Sequence, residues 1–393
     1  MGIDFPDEVH ERLALSLKEF EAPNDEGTRE ARFLRIPIAP ELLPLPPVAT
    51  LVLKQRGATD LPRGDKTAWE LAFSYKGVAC TLALQKFGLR LYVDAEAVAE
   101  DDAQAFASQL VGKLQKGVRL IEKPVLRPLA DKQLQDGNVT IANQTGWLRG
   151  TYEYFVETAR TAFAADVKLV KPKDDQGKGP LEATGILDAL TKEMNRSTVG
   201  AYNTLAAVSA YFSLLEHKLV LALPFVGFDP SGGALATFIG DRWGAKVKKI
   251  FDVGSDPDAS RHYNRLHDIA ETYRNTYSHG GFDKEGAAVW VHLPDLGALP
   301  ARLSDIREAP HFELFPVDEE DLEEIAKSFA EVDEWLRTAK TKYGIRFAEA
   351  GLDVVYDDES RKQYAQAAAD DDEFERYIEA TSRMQDDIAN FDF

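Results

Sequence analysis

The chain has 393 residues, 44% of them apolar and 28% charged, a balance that fits a folded protein with room for two or three domains. Its formal net charge of -20 argues against a broad basic face that grips nucleic acid without selectivity. The single cysteine, Cys80, excludes a disulfide framework or a cysteine-based metal site within one chain.

Val9, Leu13, Leu17 and Phe20 recur at helical spacing and predict a short amphipathic helix over 8–20. Five prolines between 37 and 47 predict extended or irregular chain, because proline lacks a donor and restricts its predecessor. Trp69–Tyr75, Val78–Leu84 and Leu89–Val93 then alternate apolar and polar, with turns at Lys76-Gly77 and Phe87-Gly88. They predict a β-meander. A helix over Asp102–Lys116, with Phe106, Leu110, Val111 and Leu114 inward, is expected to cover it. Residues 1–146 therefore read as a small α+β domain.

The pattern turns helical after Leu148. Tyr152, Phe155, Ala159 and Phe163 share one face, and the polar stretch Lys168–Pro180 predicts an exposed loop. Residues 199–223 predict the strongest helix, with Leu205, Val208, Phe212, Leu215 and Leu219 as its core stripe and Pro224 as its stop. Further helices are expected over about 232–250 and 257–279. The second of these turns Tyr263, Leu266, Ile269, Ala270, Tyr273 and Tyr277 inward and ends at Gly280-Gly281. Ala288–Leu293 predicts a short extended return. Residues 147–310 thus read as a mainly helical domain.

Residues 311–393 read as an acidic helical extension. Asp318–Asp321 suits a capped helix start, followed by inward Leu322, Ile325, Phe329, Val332 and Leu336. The final acidic stretch carries Phe374, Tyr377, Ile378 and Met384 and predicts a docked helix. Charge is uneven: residues 301–393 carry 11 Lys+Arg against 26 Asp+Glu, whereas residues 196–300 carry 10 against 11. The first residues lack a basic region followed by an apolar run, so no secretory leader is expected. The best apolar run, Leu219–Phe228, is about half of the ~20 residues a membrane span needs. A cytoplasmic protein without a membrane partner is the expectation.

One stretch suggests chemistry: Arg274-Asn275-Thr276-Tyr277-Ser278-His279-Gly280-Gly281. Asn275 and His279 are one helical turn apart and share a face. The long side chain of Arg274 reaches the same side. A helix C-terminus favours an imidazolium at His279, which suits general acid–base work near neutrality. Arg274 offers a forked cation to a phosphate whose charge grows in a transition state. Asn275 offers an amide to hold the imidazole tautomer or meet a ribose hydroxyl. Glu216 lies one turn beyond Phe212, beside the core stripe, where a carboxylate needs a partner, and Arg274 is a candidate. The competing reading of Glu216 is a structural ion pair or an exposed polar turn, Glu216-His217-Lys218. Tyr277 and Ser278 complete the supporting candidates.

Other patterns carry less. Six of the seven histidines fall between His217 and His311, but none are spaced as zinc ligands, and His262 and His267 do not share a face. No metal or other cofactor is expected. Gly232-Gly233 and Gly240 precede no phosphate-loop lysine, and no nucleophile elbow or dinucleotide fingerprint occurs. Lys246, Lys248 and Lys249 read as a solvent-facing patch, or as an electrostatic approach for RNA.

Arg274-Asn275-x3-His279-Gly280 resembles the active motif of the HEPN ribonucleases, and Tyr211–Leu221 resembles an early helix of that family. The resemblance covers roughly residues 150–300. It implies a four-helix bundle, a homodimer that brings two Arg/His pairs into one cleft, and RNA as substrate. It gives Arg274 and His279 the catalytic roles and Asn275 a supporting one. HEPN toxins controlled by a nucleotidyltransferase often carry a tyrosine two positions after the histidine. Gly281 stands there, so that form of control is not expected.

The fold expected is α+β: an N-terminal β-meander domain, a HEPN-like helical bundle and an acidic helical extension. The function expected is metal-independent RNA cleavage, in a toxin or anti-phage defence effector under a regulatory protein or antitoxin. The rival is a non-catalytic HEPN-like binding module in a regulatory or defence assembly. A third reading makes the motif accidental on a structural protein.

Overall fold

A computed structural model describes residues 3, 5–23, 32–62, 64, 66–165, 181–275, 289–294, 297–304, 309–311 and 317–390. The fold is mixed α+β. It divides into two compact units, residues 1–136 with 379–393, and residues 137–378.

In the first unit, helix α1 (Asp7–Ser16) buries Val9 and Leu13 and stops before a short strand, β1 (Phe20–Glu21). The predicted helix over 8–20 is therefore shorter. Strand β2 (Phe33–Pro37) precedes helix α2 (Pro46–Lys54). The proline-rich stretch was expected to stay irregular, but Pro46-Pro47 occupies the first turn of α2. The donor that proline lacks has no helical partner there anyway.

The remaining strands are β3 (Thr59–Asp60), β4 (Thr67–Tyr75), β5 (Val78–Gln85) and β6 (Gly88–Asp94). The sheet is antiparallel in the order β1-β4-β5-β6-β2, with β3 pairing β4 as well. The expected meander is its centre. Leu71, Phe73, Tyr75, Leu82, Leu91 and Val93 are buried from alternate positions, as one covered face requires. Helix α3 (Glu100–Ile121) covers that face with Ala103, Ala107, Leu110, Val111 and Leu114. Pro124 cannot donate a helical hydrogen bond. The chain passes it by widening into a π-helical turn, Glu122–Leu126, and resumes as α4 (Arg127–Asp136).

The second unit begins with strand β7 (Thr140–Ile141), which pairs antiparallel with β11 (Val354–Val355). Helices α5 (Thr145–Ala164) and α6 (Leu181–Ala222) follow. Helix α6 starts well before the predicted residue 199. Its described side chains from 191 to 196 are mostly exposed. The predicted 232–250 helix is two helices, α7 (Ala234–Gly240) and α8 (Trp243–Ile250), broken by extended residues Asp241 and Arg242.

Helix α9 (Pro257–Ile269) is capped by the Asp256 carboxylate, which accepts from the Asp258 and Ala259 N–H groups. It continues as a π-helical turn, Ala270–Asn275. Strands β8 (Val289–Leu293), β9 (Gly297–Ser304) and β10 (Ala309–His311) form a small antiparallel sheet. The expected loop at 168–180 and the Gly280-Gly281 helix end lie outside the described residues.

Helix α10 (Glu319–Thr338) opens with a reciprocal capping box between Asp318 and Asp321. Helices α11 (Lys342–Glu349), α12 (Asp358–Ala367) and α13 (Asp371–Asn390) complete the chain. Helices α6, α9 and α10 share one apolar core with α8, α11 and the start of α13. Tyr152 of α5 joins Tyr211 of α6 and Phe329 of α10 there, and the last two rings stack at 3.7 Å. The acidic C-terminal helices, read as an extension over 311–393 ending in a docked helix, are up to Ile378 part of this core, with Tyr364 and Phe374 buried.

By length and composition, Met194–Val226 could cross a membrane, contrary to the count made on Leu219–Phe228 alone. However, 61% of its most apolar window is buried inside the unit.

Candidate functional site

Three consecutive residues on α6 enter three different environments. Glu216 faces a surface cleft. His217 lies beside the start of α5, where its Nε2 accepts the Gln144 N–H at 2.9 Å. Burial pushes the His217 imidazole pKa down. Lys218 points into the interior, fully buried, and donates to Asp333 Oδ1 of α10 at 2.9 Å, with Glu349 Oε1 of α11 at 3.7 Å. The exposed polar turn weighed for Glu216-His217-Lys218 is therefore not formed. Burial lowers the Lys218 pKa, and Asp333 opposes that shift.

Glu216 is the hub of the cleft. Its Oε2 accepts from the Lys246 ammonium at 2.6 Å, and its Oε1 lies 3.6 Å from the Arg274 guanidinium. Lys246 was expected to face solvent, but it is 3% exposed and also donates to the Asp241 carbonyl at 2.6 Å. Trp243, Val247 and Ile250 form the inward face of α8, and position 246 belongs to that face. Lys248 and Lys249 remain exposed as expected. Lys249 pairs with Asp241 at 2.5 Å, and the Lys248 ammonium lies 4.7 Å from the Tyr263 ring centre.

Arg274 sits on the π-helical turn. Its guanidinium is 5.0 Å from the centre of the buried Phe212 ring and faces Glu216 one turn further along α6. Two residues on one face of α6 thus hold the cation from below and from the side. Asn275 donates from Nδ2 to Glu271 Oε1 at 2.8 Å, so its amide is oriented by its own helix. Tyr277, Ser278 and His279 lie outside the described residues.

The cleft has a volume of about 760 Å³. Glu216, Arg242, Trp243, Lys248, Tyr263, His267, Glu271, Arg274 and Asn275 are among the residues lining it. The structure therefore brings together three of the sequence candidates, Arg274, Asn275 and Glu216. It adds Arg242 and His267, which sequence reasoning did not place in the site, and Lys248, which was read as a solvent-facing patch or an approach for RNA. His267 and Arg274 are seven positions apart, two helical turns on one face, and that spacing could have marked His267. Arg242 lies in the break between α7 and α8, which the apolar pattern does not signal. His262 points elsewhere: it is buried and stacks on Trp335 with ring centres 5.0 Å apart. Among the described residues no group of three His, Cys, Asp or Glu side chains is placed to hold a metal ion.

The site can hold an anion. Two guanidiniums, Arg242 and Arg274, and the exposed Lys248 ammonium face one cleft, together with the carboxylates Glu216, Asp241 and Glu271, which already have protein partners, and an amide and an imidazole sit within it. No protein-family model, curated protein or solved structure matches this chain.

Proposed function

We propose that the second unit is a metal-independent endoribonuclease of the HEPN type, working as a cytoplasmic homodimer in a toxin or anti-phage defence system under a regulatory protein or antitoxin. In the proposed reaction the ribose 2′-oxygen attacks the adjacent phosphorus and loses its proton to a base. The bond from phosphorus to the 5′-oxygen breaks, and the departing oxygen takes up a proton. The products are a 2′,3′-cyclic phosphate and a 5′-hydroxyl. His279 is assigned the proton transfers, Arg274 the phosphoryl charge, and Asn275 the ribose or the imidazole.

One observation carries this reading: Arg274 is held in a cleft by Phe212 and Glu216, 29% exposed at its side chain. A cation fixed before substrate arrives stabilises developing charge without reorganising. The Glu216 ion pair itself favours the rival, a binding module without catalysis, because it offsets part of the Arg274 charge in the free protein.

Incubation with mixed RNA in EDTA separates the two. The proposal expects cleavage with cyclic phosphate ends, reduced by at least about 100-fold in Arg274→Ala and His279→Ala, on the scale of losing a charge stabiliser or general acid. No cleavage by the parent protein with RNA bound supports the binding module. Cleavage that survives His279→Ala but not His267→Ala moves the proton transfer to His267.

A further inference from the structure

The cleft at Arg274 does not end there. It shares Lys248 and Tyr263 with a second cleft of about 820 Å³. That cleft shares Lys249, Ile250 and Lys340 with a third of about 590 Å³. The three form one groove along α8 and the start of α9, within the second unit.

The carboxylates along this groove are engaged by the protein. Glu216 is held by Lys246 and Arg274, and Asp241 by Lys249. Asp252 accepts from Ser255 and the neighbouring backbone and is further stabilised by the charge of Lys340, Asp229 accepts from the Ser231 N–H, and Glu271 accepts from the Asn275 amide. By contrast, Arg242, Lys248 and Lys340 are exposed and form no ion pair among the described residues. Lys248 rests on Tyr263 and Lys340 on Phe251, at 4.7 and 5.6 Å from the ring centres. Half-buried Tyr263 stands where the first two clefts meet.

We infer that this groove binds a single-stranded polynucleotide leading away from Arg274, with Arg242, Lys248 and Lys340 on successive phosphates and Tyr263 against a base. The inference rests on the ribonuclease reading of the Arg274 cleft and names the form of its substrate. A positive track with an aromatic ring beside it is what an unpaired strand requires. A duplex asks for a broad positive face, which a chain of net charge -20 is poorly suited to supply.

The test is fluorescence anisotropy of the full chain with a labelled 2′-O-methyl oligonucleotide, which cannot be cleaved by 2′-oxygen attack. Single-stranded and duplex forms are titrated across a range of salt concentrations. The expected result is single-strand binding that weakens about tenfold or more in Lys248→Ala/Lys340→Ala. Its log–log salt slope should fall by about 1.4, from roughly 0.7 per lost phosphate contact on single strands. The exposed pair Lys192→Ala/Lys362→Ala should leave both unchanged, and circular dichroism melts check that each variant is folded. Equal binding by the parent and Lys248→Ala/Lys340→Ala overturns the groove. So does an equal loss in the control pair, or a preference for duplex. Lysine-dependent binding without cleavage of ordinary RNA keeps the groove and rejects the ribonuclease. Cleavage with lysine-independent binding does the reverse.

Discussion

Glu216 illustrates how one carboxylate can serve both stability and a site. It neutralises Lys246, which is almost fully buried, and it positions Arg274, which is partly exposed. The two partners therefore depend on it unequally. Glu216→Ala leaves a buried ammonium without its carboxylate and is expected to cost about 2 kcal/mol or more. Arg274→Ala removes a cation–π contact and a longer ion pair and is expected to cost about 1 kcal/mol or less. Urea unfolding of the two variants checks this, and an Arg274→Ala loss equal to that of Glu216→Ala rejects the ordering. The Glu216–Arg274 pairing was readable from sequence, because Glu216 sits beside the apolar stripe of α6 and needs a partner. Burial of Lys246 was harder to read. Three lysines within four residues resemble a solvated patch, and only the Trp243, Val247 and Ile250 spacing shows that one of them turns inward.

Helices in the second unit pack closely where glycine allows. On α11, an added Cβ at Gly344 would lie 2.5 Å from the Ala222 Cα and 3.2 Å from its carbonyl oxygen. Backbone cannot rotate aside as a side chain can. Gly344→Ala should therefore lower stability by about 2 kcal/mol through overpacking. Gly244→Ala on α8 meets only the Tyr263 side chain, at 3.4 Å. It should be neutral, or stabilising by up to about 1 kcal/mol through helix propensity. Chemical denaturation midpoints distinguish these outcomes, and similar losses at both positions would contradict the packing argument. Element prediction succeeded where signals were local: the alternation of β4 to β6, the Asp318 cap of α10 and the stripe of α6 after residue 199. It failed where the signal depended on context. Prolines that read as irregular chain begin α2, and the break between α7 and α8 lies inside an apolar pattern that continues across it.

Across the whole molecule, the boundary between units falls after residue 136 rather than near 146. Thr140–Ile141 pairs with Val354–Val355, and no local pattern announces a partner that far along the chain. Buried imidazoles also give the second unit an acid response. Burial lowers the pKa of His262, with Arg261 adding to the shift, and burial lowers that of His217. Both then protonate more readily when unfolded. They contribute nothing to the pH dependence above their ordinary value of about 6.5, and stability falls as pH drops below it. The Glu349 carboxyl acts lower on the scale. Burial would raise its pKa, but Arg337, Lys218 and Arg149 outweigh that and hold it down. Its contribution is lost only as pH falls below the usual carboxylate range. Melting temperature should therefore decline between pH 6.5 and 5. His262→Phe, which retains an aromatic ring on Trp335, should flatten the decline. A parent melting temperature constant over that interval would refute the assignment.

The π-helical turn at Ala270–Asn275 has a different kind of consequence. A π turn accommodates one residue more than the α-helical ladder would hold. Deleting a single residue from it would restore regular winding and leave Arg274 near its present face, whereas deleting one from the α-helical residues ahead of it would rotate Arg274 by about 100° about the helix axis. In the second case Phe212 and Glu216 would face a different side chain, although the composition of the segment would hardly change. The site is in this sense encoded by chain length as well as by residue identity. Comparison of variant sequences should weigh insertions and deletions between Pro257 and Asn275 as heavily as substitutions at Arg274 itself.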